Sequence, residues 1–134
     1  MRAITFIVLI VFSSFRCKEY VFLKHVSGKI HLVAVDSLEQ MTLSYLLPEG
    51  TYVGIIGETI EWVGFEPHSD RILIKQKIRN EHQEVQYFSI DAQIDYSFGY
   101  RDDGIHNMKE KEFFEMIQRF RKRGHTLIQI YSAQ

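Results

Sequence analysis

The residue with the clearest chemistry is Cys17, the only cysteine of the chain. It follows an apolar run, residues 3–12, that Arg2 precedes and only Thr5 interrupts, and Ser13 and Ser14 come next. A positive start, a short apolar core and small residues are the grammar of an export signal. A cysteine placed just after such a run can become the acylated N-terminus of a bacterial lipoprotein, although Arg16 stands where a small residue is usual. The spacing therefore predicts a signal over residues 1–16, lipidation at Cys17 and a membrane held through a lipid anchor. A soluble periplasmic or secreted product is the alternative. The apolar run is shorter than the roughly 20 residues a spanning helix needs.

The other reactive side chains form no recognised constellation. His25, His31, His68, His82, His106 and His125 include no helical i, i+4 pair and no H-E-x-x-H. The acids Asp91, Asp95, Asp102 and Asp103 lack the spacing of a calcium loop. One cysteine excludes an internal disulfide and paired-cysteine zinc sites. No G-x-S-x-G, phosphate-binding loop or dinucleotide glycine pattern is present. No catalytic residue, metal ligand or cofactor is assigned. Trp62, Tyr96, Tyr100, Asp102, Asp103 and His106 are the candidates for contact with a protein partner. All but Trp62 lie in an aromatic and acidic stretch, residues 91–107, expected as a long loop with a short edge strand near residues 94–98.

These residues must be positioned by a single domain over residues 17–134, since 134 residues offer too little chain for two cores. The formal net charge is −1, and losing residues 1–16 removes Arg2 and Arg16 but no acid, leaving −3. Nothing in that balance suggests nucleic-acid binding. Alternating apolar residues predict strands over 20–26, 29–35, 41–47, 51–56, 59–65, 71–77, 85–90 and 126–131, with a short helical turn possible at 37–40. Pro48-Glu49-Gly50 and Gly57-Glu58 read as reversals. Residues 52–76 read as the central hairpins of one antiparallel sheet. Phe113, Met116, Ile117 and Phe120 share one face of a helix over residues 108–123. Asn107 reads as its N-cap, with Glu110 completing a capping box, and Gly124 follows its end. The fold class is α+β: a mainly antiparallel sheet of about seven strands, an amphipathic C-terminal helix packed on it, then a short strand.

The order of Ser27-Gly28-Lys29-Ile30-His31-Leu32-Val33-Ala34-Val35-Asp36, Gln40-Met41-Thr42-Leu43-Ser44-Tyr45, Gly50-Thr51-Tyr52-Val53-Gly54-Ile55-Ile56-Gly57, Val63-Gly64-Phe65 and Ile72-Leu73-Ile74-Lys75-Gln76 resembles a family of small bacterial lipoproteins, domain of unknown function 3997. The resemblance covers less than half of the chain. It implies an exported, lipid-anchored envelope protein and brings no catalytic residues with it. The expected function is a non-enzymatic binding or interaction module. Alternatives are an immunity-type inhibitor of a secreted toxin and a small exported enzyme pairing His106 with an aspartate in the 91–106 loop.

Overall fold

The computed structural model describes residues 20–78 and 81–133. The expected signal and Cys17 lie outside the described residues. The fold is α+β and antiparallel throughout, but its strands form two sheets rather than one. Sheet A is a meander of β1 (Phe22–Ser27), β2 (Ile30–Ala34), β3 (Thr42–Leu46) and β4 (Tyr52–Ile56), in that order. Sheet B contains β5 (Ile60–Glu66), β6 (Arg71–Lys77), β7 (Val85–Asp91), β8 (Ile105–Met108) and β9 (Ile128–Ser132), in the order β8-β7-β6-β5-β9. The expected hairpins at 52–76 are thus divided. β5 and β6 pair, whereas β4 belongs to the other sheet and residues 57–59 cross between the two.

Strand alternation builds the core. Leu32, Leu43 and Ile56 from sheet A meet Val63, Ile72, Ile74, Phe88 and Ile90 from sheet B, all buried. The intervening residues of sheet B face outward, where α1 (Glu110–Lys122) covers them. Phe113, Ile117 and Phe120 of α1 pack on Leu73 and Tyr87 in a second apolar cluster. The layers are sheet A, sheet B and helix.

Two local expectations change. The helix starts later, with Lys109 at the N-cap and no side-chain capping bond. Asn107 instead lies in β8, opposite Phe88, so the capping box does not form. The edge strand expected near 94–98 is absent; that stretch is irregular chain ending in a turn, and the edge position is filled by β8. Ser37 precedes a 3-10 turn at Leu38–Gln40.

At one side of the sandwich β1 and β9 adjoin. Phe22 and Tyr131 meet with ring centroids 5.6 Å apart, and the Lys24 ammonium donates to the Ile130 carbonyl at 3.1 Å.

Candidate functional site: an exposed aromatic loop and an aromatic groove

The connection from β7 to β8, residues 92–104, is long, yet its backbone is tied at several points. The Asp91 and Asp95 carboxylates accept from the backbone N–H of Gln93 and Ser97, at 3.0 and 2.8 Å, the local turns that aspartate favours. Gly99 N–H closes on the Tyr96 carbonyl at 2.8 Å, with Gly99 at φ +91°, a conformation that suits glycine. The Arg101 guanidinium grips the Asp103 carboxylate at 3.0 and 2.5 Å and the Asp95 carbonyl at 3.0 Å. These bonds hold the Asp95 and Asp103 carboxyls below the usual aspartate range. The Ser97 hydroxyl and N–H are the main cause for Asp95, and the Arg101 side chain for Asp103.

Tyr96 anchors the loop. Its side chain is fully buried in the inter-sheet core, edge-on to Tyr45, and its hydroxyl donates to the Asp91 carbonyl at 2.6 Å. Burial, reinforced by the charges of Asp91 and Asp103, pushes its phenol up to about 12. A side chain in that position cannot touch a partner, so Tyr96 leaves the set of contact candidates. Gly104 makes room for it: a Cβ there would collide with the Tyr96 hydroxyl and with Ile94.

Phe98 projects from this tied loop with 99% of its surface exposed. Tyr100 beside it is half-exposed, and its phenol is raised by burial and by the neighbouring Asp102. Asp95, Asp102 and Asp103, close to them in the chain, are all exposed. Sequence reading placed Phe98 in the loop but did not select it. Tyr96, Phe98 and Tyr100 look equivalent at alternating positions, and only the turn at 97–99 separates the buried ring from the exposed one.

Trp62 and His106 lie elsewhere. His106 is exposed on β8 opposite Ser89, and among the described residues it has no hydrogen bond or ion pair to a carboxylate. Trp62 lies on the helix side of sheet B, half-buried over Gly64, where a Cβ would strike the indole. Its indole N–H donates to the Gln129 side chain at 3.2 Å, and its ring meets Phe113 edge-on at 5.9 Å. Together with Phe113, Phe114 and Ile117 it lines a groove of about 520 Å³ between α1 and the β5–β9 edge. Arg121 stands at the rim, and the Glu61 carboxylate in the same groove is matched by Lys75 at 3.5 Å.

A second polar cluster lies near the end of α1. Glu66 is fully buried and accepts the backbone N–H of His68 and Ser69 at 2.7 and 2.8 Å, and also the Ser69 hydroxyl. The His125 ring meets His68 at a tilt of 34° with centroids 4.1 Å apart. Its buried Nδ1 lies 4.0 Å from the Glu66 carboxylate, too far for a hydrogen bond. Among the described residues no group of three or more histidines, cysteines or acids is arranged to hold a metal ion. No described helix is long and apolar enough to cross a membrane.

Comparison of the chain with family models, with curated proteins and with solved structures returned no match.

Proposed function

We propose that this chain is an exported envelope lipoprotein acting as a non-enzymatic protein-binding module, and that the 92–104 loop is its contact surface. The observation that carries the binding role is Phe98, 99% exposed on a loop whose neighbouring backbone is held by internal hydrogen bonds. A large apolar ring in water is unfavourable until a partner covers it, and a rigid loop loses little conformational freedom on binding. Exposed aromatic anchors of this kind dominate many interfaces. The acids around Phe98 favour a partner with an apolar pocket and a basic rim.

The lipoprotein part rests on the sequence of residues 1–17 and on the resemblance to domain of unknown function 3997. Metabolic labelling with a clickable fatty acid tests it: the full chain should take up label and Cys17→Ser should not. A label-free, soluble full chain overturns that part. Photocrosslinking from position 98 in cells tests the binding part, and the absence of any protein adduct there overturns it.

A toxin-neutralising inhibitor is a narrower version of the same reading, favoured by the exposed acids at 95 and 102 that would meet a basic active-site surround. A secreted nuclease or other basic toxin among the crosslinked partners would select it. For an enzyme centred on His106, no hydrogen bond or ion pair joins the imidazole to a carboxylate among the described residues, and general acid–base chemistry needs such groups in one pocket.

A further inference from the structure

Resting on the reading of the 92–104 loop as a contact surface, we propose that one of its partners is a second copy of this chain, with Phe98 of one copy seated in the Trp62 groove of the next. The molecule carries both halves of such a contact. The knob is an exposed phenylalanine flanked in the chain by the exposed acids Asp95 and Asp102, while Asp103 is paired with Arg101. The socket is floored by Trp62, walled by Phe113, Phe114 and Ile117, and has room for an aromatic side chain in about 520 Å³. Phe114 is left 48% exposed at its mouth.

The charges match as well as the shapes. Arg121, which lines the socket, has no ion-pair partner among the described residues. Opposite the knob, Arg121 meets the exposed carboxylates of Asp95 and Asp102. Such complementarity favours one orientation and speeds encounter.

The two halves cannot meet within one copy. The loop is held against sheet A, where a Cβ on Gly99 would lie 3.4 Å from the Gly54 carbonyl at the β4 edge. The socket opens on the outer face of sheet B toward β9, the edge strand at the other side of the molecule. A contact between different patches on opposite sides joins copies head to tail and leaves a free knob at one end of the row and a free socket at the other.

The test uses the full chain in detergent, with photoreactive benzoylphenylalanine in place of Phe98 and a mixture of isotopically heavy and light copies. The expected result is heavy–light adducts from position 98 to residues 113–121, weakened about tenfold or more when the receiving copy carries Arg121→Glu. Sedimentation supplies a second readout. Phe98→Ala, which removes only solvent-exposed atoms, and Arg121→Glu should each stay monomeric. Mixed together they should stop at a one-to-one pair, because they share one intact contact. Adducts only to other proteins would overturn self-association and leave the loop's binding role standing. Adducts to no protein would overturn both, and self-adducts outside the groove would overturn the socket.

Discussion

At the residue scale, two buried polar side chains carry much of the loop and turn geometry. Tyr96 fills core volume and also satisfies the Asp91 carbonyl, so Tyr96→Phe should cost about 1–2 kcal/mol by leaving that acceptor unpaired. Gly104→Ala should cost more, since the new methyl meets the same hydroxyl, and combining it with Tyr96→Phe should recover part of the loss. Chemical denaturation of the single and double variants measures this, and strict additivity would contradict the packing. The raised Tyr96 phenol has a pH consequence. Its contribution to stability is complete below the ordinary tyrosine range and is lost as pH rises towards about 12. Glu66 behaves in the opposite sense. Burial raises its pKa, but the Ser69 hydroxyl, the Ser69 and His68 amides and nearby His125 more than offset that and leave it lowered. A lowered carboxyl stabilises the fold above its unfolded value of 4.5 and loses that contribution as pH falls through the folded value. Melting temperature should therefore fall below about pH 4.5 in the native chain and fall less steeply in Glu66→Gln, which starts from lower stability.

At the element scale, α1 depends on burial rather than on its ends. Its N-terminus has no side-chain cap, and its apolar face rests on Leu73 and Tyr87. Ile117→Ala should destabilise by about 2–4 kcal/mol through the cavity it leaves, readable as a shifted denaturation midpoint with an unchanged slope. That face was legible in the sequence because its periodicity reports burial directly. The helix start was not legible. Asn107 has the chemistry of a cap, but the edge of β7 needed a strand and recruited residues 105–108 instead. The strands were nearly all legible, for alternation marks which residues share a face. Alternation carries no mark of which sheet a strand joins. Gly57-Glu58 thus read as a hairpin turn, although Ile60 turns away from β4 to pair with Gln76. The same blindness hid Phe98: burial of one ring and exposure of the next but one were decided by a turn, not by residue type.

At the scale of the whole molecule, edge strands need protection from pairing with other chains. β9 is such an edge, and the Lys24 ammonium occupies the Ile130 carbonyl on it. Lys24→Ala should change stability by less than about 1 kcal/mol, since the bond is exposed, yet raise light scattering on mild heating. Unchanged scattering would show that the lysine does not guard the edge.

The meeting of Phe22 with Tyr131 makes this fold close to a ring in connectivity. The first and last strands are neighbours, so their ends can be bridged by a short flexible linker and the chain reopened elsewhere. Residues 57–59, which pass from one sheet to the other, are the natural place to cut. The reordered chain would run from β5 to β8, then through α1 and β9, and only then through sheet A, with every strand pairing and the Phe98 loop retained. Such a permutant should keep the native circular dichroism spectrum while exchanging which sheet emerges first during synthesis.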